Sequence, residues 1–172
     1  MKAMSAIVVL ALIALATSLA LFLIGPKRLW SMIGPADLGP VDFRTLERRK
    51  SPNDSLACPP DFCQANSDLV PPTFAVNAQR LRAAMAKVIA SEPNVTIAQI
   101  DDVALVDRYV QRTRVLKFPD TIVVHYVDLG VGERSTLAIY SRSQLGYSDL
   151  GVNKARIARW LDKLEKLAPA LK

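Results

Sequence analysis

The stretch Ile122-Val123-Val124-His125-Tyr126-Val127, continued by Gly130-Val131-Gly132-Glu133 and then by Arg134 to Ser143, decides how this 172-residue chain reads. Ile122, Val124 and Tyr126 share one side of an extended segment, while Val123, His125 and Val127 share the other. Two glycines in four residues mark a hairpin loop, so Arg134–Ser143 returns as an antiparallel partner. Working outward, Val103 to Thr113 alternates as a longer strand and Val95 to Ile100 as a short one, with Asp101-Asp102 turning between them.

Outside these strands the period changes to that of a helix. Leu81, Ala84, Met85, Val88 and Ile89 recur at helical spacing within Ala78–Ser91, behind Asn77 as N-cap and ahead of Pro93 as a stop. A last helix starts within Gly151–Asn153 and ends near Pro169, with Ile157, Trp160, Leu161, Leu164 and Leu167 as its buried stripe. Lys154, Arg156, Arg159, Lys163 and Lys166 line its other side among acidic residues, as on a solvated face. The expected fold is α+β: a two-layer sandwich of a roughly four-stranded antiparallel sheet with two helices on one face.

The amino terminus is of another kind. Ala3–Ile24 is a run of 22 residues whose only polar members are Ser5, Thr17 and Ser18. As a helix it spans ~33 Å, enough to cross a bilayer. A cleaved signal peptide is the competing reading, with Ser18-Leu19-Ala20 as its site, but Leu21-Phe22-Leu23-Ile24 continue the apolar run past it. Eight of the 11 prolines lie between Pro26 and Pro72. The expected division is therefore an anchor over 1–25, a Pro-rich tether over 26–72 and a globular domain over 73–172.

Cys58 and Cys63 are the only cysteines. They are too few for a four-ligand zinc site and lack the Cys-x-x-Cys spacing of thiol oxidoreductases. A local disulfide is the economical explanation and requires an oxidising compartment; two unrelated free thiols are the alternative. Lys27 and Arg28 just after the apolar run favour a cytoplasmic domain by the positive-inside rule, and the cysteines favour export. The expectation is a single-pass protein of the inner membrane with a periplasmic domain. Residues 73–172 carry 15 Lys/Arg against 10 Asp/Glu, a surplus compatible with an acidic partner and with ordinary solubility charge.

Between the last strand and the last helix lies Tyr140-Ser141-Arg142-Ser143-Gln144-Leu145-Gly146-Tyr147-Ser148-Asp149-Leu150-Gly151-Val152-Asn153-Lys154-Ala155-Arg156, dense in hydroxyls, amides and charges. Ser148 or Asp149 suits the cap of the following helix. This run resembles the bacterial and plastid "domain of unknown function 1499" family in its pattern Gly-x-Ser-Asp-hydrophobic-Gly-x-Asn-basic-x-Arg. Phe118-Pro119-Asp120-Thr121-Ile122, and Ser51-Pro52-Asn53 with the cysteine loop, look like its other landmarks, although here Ser-Pro-Asn precedes both cysteines. The resemblance implies an envelope or membrane-associated protein and brings no catalytic residues or cofactor.

Arg142, Ser143, Ser148, Asp149, Asn153 and Arg156 are thus the candidate binding cluster for a small anion, an anionic lipid headgroup or an envelope protein partner, the helix amino terminus adding free N–H groups. No cofactor or metal is expected. The alternative within this cluster is structural: Arg142 pairs with Asp149 while the others satisfy turn and cap. A hydrolase-type enzyme built on Ser and Asp, with Asp120 or Asp149 as base, is the runner-up. It lacks a nucleophile elbow, and His125, the single histidine, sits mid-strand. A cytoplasmic-facing binder of anionic lipid or nucleic acid is a further alternative, and an exported domain is not expected to meet nucleic acid.

Overall fold

The computed structural model describes residues 2–130 and 133–171. Its elements are α1 (Lys2–Ile24), α2 (Pro26–Ile33), β1 (Asp54–Ala57), α3 (Ala78–Ser91), β2 (Val95–Asp101), β3 (Val106–Arg112), β4 (Pro119–Asp128), β5 (Ser135–Ser143) and α4 (Val152–Glu165). The five strands form one antiparallel sheet in the order β1-β5-β4-β3-β2. The β4–β5 hairpin is its centre, running from Asp120 opposite Ser143 to Asp128 opposite Ser135. Two apex residues of that hairpin, Val131 and Gly132, lie outside the described residues.

The fold is α+β as expected, but the sheet has five strands rather than four. The additional strand, β1, comes from the Pro-rich stretch and pairs with β5 through Asp54–Arg142 to Ala57–Ile139. Four residues between proline-rich turns carry too short a pattern to be read as a strand. Its place is instead set by burial, with Leu56 and Ala57 closed off on opposite faces of the sheet.

Those two faces are covered differently. On one, α3 and α4 pack Leu81, Met85, Ile157, Trp160 and Leu164 onto Ile122, Val124, Leu137 and Ile139. On the other, Phe43, Leu46 and Cys58 close over Val123, Ala138 and Tyr140. The expected two-layer sandwich thus gains a third, irregular layer, which is why Ile122-Val123-Val124 is apolar on both sides. The later part of the expected tether is a strap on the sheet. Asp37 pairs with Arg108 at 2.8 Å, and Leu38 N–H donates to Thr121 Oγ1 at 2.9 Å. The Cys58–Cys63 disulfide is formed, with Phe62 set edge-on to the His125 ring at 5.3 Å between centroids.

Both helices hold their stripes, with corrections in α4. Asn77 Oδ1 caps α3 by accepting from Arg80 N–H at 2.9 Å. Helix α4 ends at Glu165, so Leu167 falls beyond it, is 50% exposed, and leaves the buried place to Ala168. The basic side of α4 is not a free cationic face either. Arg156 is turned inward at 4% exposure, while Arg159 and Lys163 clamp the buried Glu92 carboxylate at 2.8 and 2.6 Å. Burial pushes that carboxyl up, and Arg159 and Lys163 outweigh it and hold it at about 2. At the other end of the chain, Ala6–Ile24 within α1 is long and apolar enough to cross a membrane, and none of it is buried against the domain.

Candidate functional site

Seven residues from five parts of the chain, six by their side chains and Asn53 by its main-chain carbonyl, meet where β5 hands over to α4. Ser141 and Ser143, two apart on β5, point to the helix-covered side, and Asp120 lies opposite Ser143 at the start of β4. Asn153 and Arg156, three apart on α4, face them across one helical turn. Gln111 comes from β3, and Asn53 from the turn before β1. All seven are buried.

Their hydrogen bonds close on one another. The Arg156 guanidinium donates through Nη2 to Asp120 Oδ2 at 2.5 Å and through Nε to Gln111 Oε1 at 2.5 Å. Its Nη1 donates to Ser141 Oγ at 2.8 Å and to Asn153 Oδ1 at 2.5 Å. Ser141 Oγ passes its own proton on to Asn153 Oδ1 at 2.6 Å. Asn153 Nδ2 in turn donates to Ser143 Oγ at 3.0 Å and to the Asn53 carbonyl at 3.1 Å. Asn53 Nδ2 donates to the Gly146 carbonyl at 2.5 Å, tying the loop after β5 to the turn before β1. A buried ion pair is tolerated only with such full satisfaction, and this one locks β1, β3, β4, β5 and α4 into register.

Above this network the loop carries the helix cap. The Asp149 carboxylate accepts from Gly151 N–H at 3.0 Å and from Asn153 N–H at 2.7 Å, and Ser148 Oγ accepts from Leu150 N–H at 3.2 Å. Asp149 is therefore the capping side chain, with Gly151 in a left-handed conformation (φ 80°) at the cap position. Between this loop and the β3–β4 connection lies a cleft of about 330 Å³, at the small end of ligand pockets (~300–1,000 Å³). Phe118, Leu145, Leu150 and Val152 form its apolar walls; Thr113, Asp120, Ser143, Ser148 and Asp149 give it polar edges.

A family model described as "Protein of unknown function (DUF1499)" matches residues 50–164, two-thirds of the chain. The chain belongs to the DUF1499 family. No curated protein and no solved structure matches it. The DUF1499 match runs from just before Asn53 to the end of α4, taking in every residue of the buried network; α1, α2 and residues 34–49 lie outside it.

The candidate residues divide by their place in this DUF1499 fold. Ser143, Ser148 and Asp149 line the cleft, and Asn153 and Arg156 lie beneath it, committed to the network. Arg142 stands apart: it alternates with Ser141 and Ser143, so it points to the strap-covered face. There its Nη2 donates to the Leu38 and Gly39 carbonyls at 2.9 and 2.8 Å, with the guanidinium over the Tyr140 ring. It therefore neither faces the cleft as the expected ligand contact nor pairs with Asp149 as in the structural alternative. His125 lies on that face too, between Phe43 and Phe62; burial and then the Arg44 charge push its pKa down. Gln111 and Asn53 went unread, being distant in sequence, although Ser51-Pro52-Asn53 and Phe118-Pro119-Asp120 were family landmarks that converge here. No group of His, Cys, Asp and Glu fit to hold a metal ion occurs among the described residues.

Proposed function

We propose that this protein is a membrane-anchored, non-catalytic binding domain of the cell envelope, held in the inner membrane by α1 with its globular part on the periplasmic side. Its ligand site is the cleft between the β3–β4 connection and the β5–α4 loop. The observation that carries this reading is an open, mainly apolar cleft whose polar floor already has partners. Asp120 is tied to Arg156, Ser143 Oγ to Asn153, Ser148 to its own turn and Asp149 to the helix cap. Groups held this way fix shape and orientation, whereas a general base or nucleophile needs a proton it can exchange. The disulfide supports an oxidising compartment, and the apolar helix supports anchorage. The partner is an anionic lipid or an envelope protein rather than nucleic acid.

Two measurements test this. An export-dependent reporter and a cytoplasm-dependent reporter fused at the carboxy terminus are expected to show export; a cytoplasmic signal overturns the localisation. Native mass spectrometry of the full chain from mild detergent is expected to show a retained small molecule in the wild type and in Val103→Trp. Ser148→Trp, which fills the cleft, is expected to lose it. Retention unchanged in Ser148→Trp, or no retained mass in the wild type, overturns the cleft as the site.

A further inference from the structure

We propose that the cleft-bearing end of the domain rests on an anionic membrane surface, with Val115, Leu116 and Leu150 entering the lipid interface as a second contact beside α1. This inference rests on the anchored reading of α1 and goes beyond it by assigning a partner to a particular surface.

Three observations converge on that end. First, it is tethered close to the bilayer. Trp30 of α2 donates its indole N–H to the Leu116 carbonyl at 2.5 Å and lies against Phe118 at 4.5 Å between ring centroids. Gln144 Nε2 donates to the Pro35 carbonyl at 2.5 Å. Trp30 lies six positions after Ile24, so its Cα stands within ~20 Å of the end of the apolar helix and brings the β3–β4 connection there with it. Second, they present apolar side chains to solvent: Val115 is 76% exposed and Leu150 94%. Leu150 and Lys117 are held at φ 54° and 57°, a left-handed backbone unfavourable to both residue types. A strained leucine on the rim of the cleft that stays 94% exposed is expected to bury its side chain against something outside the domain.

Third, the charge at this end suits anionic headgroups. Lys27, Arg28 and Arg114 are exposed there, and Lys117 stands beside them. The neighbouring acids are already engaged: Glu92 by Arg159 and Lys163, Asp120 by Arg156, Asp37 by Arg108, and Asp149 by the helix cap. At the opposite end of the sheet, the β2–β3 turn also exposes an apolar tip, Val103, but the charged neighbour is Asp102, an exposed acid paired with Arg82. Basic residues flanking exposed apolar tips next to a span are the composition of an interfacial contact with anionic lipid.

The test uses the full chain in vesicles of mixed phosphatidylglycerol and phosphatidylcholine. Both native cysteines are in the disulfide, so single cysteines introduced as Leu150→Cys, Val115→Cys, Val103→Cys and Leu12→Cys accept a polarity-sensitive fluorophore. Nitroxide-bearing lipid is expected to quench labels at 115 and 150 several-fold more than the label at 103. Arg114→Glu with Lys117→Glu, or vesicles of phosphatidylcholine alone, are expected to bring position 150 down to the level of 103. If 150 matches 103 in the phosphatidylglycerol-containing vesicles, with no charge reversal, while 12 is quenched, the anchor stands and the second contact is overturned. If 12 is unquenched, anchor and contact fall together. Insertion undiminished in phosphatidylcholine overturns the anionic surface as the partner.

Discussion

Arg142 and Arg156 lie on opposite faces of the sheet and do different work with the same side chain. Arg156, under α4, is 4% exposed and spends its donors on a carboxylate, an amide and a hydroxyl that are equally buried. Arg142, under the strap, is half-buried and donates to two backbone carbonyls of a segment with no regular structure. Burial, then the Arg49 and Arg108 charges nearby, pushes the Arg142 pKa down. The helical face thus joins its apolar core to a closed, fully buried ionic network, whereas the strap face joins apolar burial to main-chain bonds and to partly exposed ion pairs such as Arg108–Asp37 and Arg48–Asp54. The first is intolerant of losing one member; the second gives way gradually.

The largest expected effect follows from that closure. Arg156→Ala leaves Asp120 charged, buried and unpaired, a loss of about 3–5 kcal/mol, a large part of a typical domain's stability. Chemical unfolding of the full chain in detergent measures it. Adding Asp120→Asn is expected to recover part of the loss, since the orphaned charge is then gone; no recovery would mean that packing, and not charge, dominates the junction.

On the strap face the corresponding changes are smaller. Cys58→Ser with Cys63→Ser opens a loop of sequence separation 5, which loop entropy values at about 2 kcal/mol. Arg142→Ala removes bonds to carbonyls that can turn back to water, for about 1 kcal/mol. The same unfolding assay separates them, and an Arg142→Ala loss equal to that of Arg156→Ala would erase the distinction between the faces.

How far each face was legible follows the same division. Helix α3 was readable to the residue because Leu81, Met85 and Val88 repeat with the helical period, and β4 and β5 because a glycine loop joins two alternating runs. The strap has no period: Phe43, Leu46 and Leu56 reach the core from turns and a four-residue strand, so nothing local marks them. Within the site, Ser143, Ser148, Asp149, Asn153 and Arg156 stood out because polar residues were crowded into one segment. Gln111 and Asn53 did not, because only the paired sheet brings them near. Arg142 was grouped with Ser143 by adjacency, although on a strand adjacent residues face opposite ways.

Acidification gives the finest comparison, because each face carries a depressed carboxylate. On the helical face, burial raises Glu92, and Arg159 and Lys163 overcome it and hold it at about 2. On the strap side, burial likewise raises Asp54, and hydrogen bonds from Arg48 and Tyr140 overcome it and bring it below its ordinary 3.8. A carboxylate depressed in the folded state contributes stability that is complete above its unfolded pKa and is lost as pH falls through the folded one. For Glu92 that window opens near its ordinary 4.5 and closes at about 2. The thermal midpoint of the full chain is therefore expected to fall across that range, and Glu92→Gln to flatten the fall from its upper end. Asp54→Asn is expected to flatten only the portion below 3.8, where its own carboxyl titrates. If Asp54→Asn removed most of the slope, the strap rather than the helical face would be the acid-sensitive side.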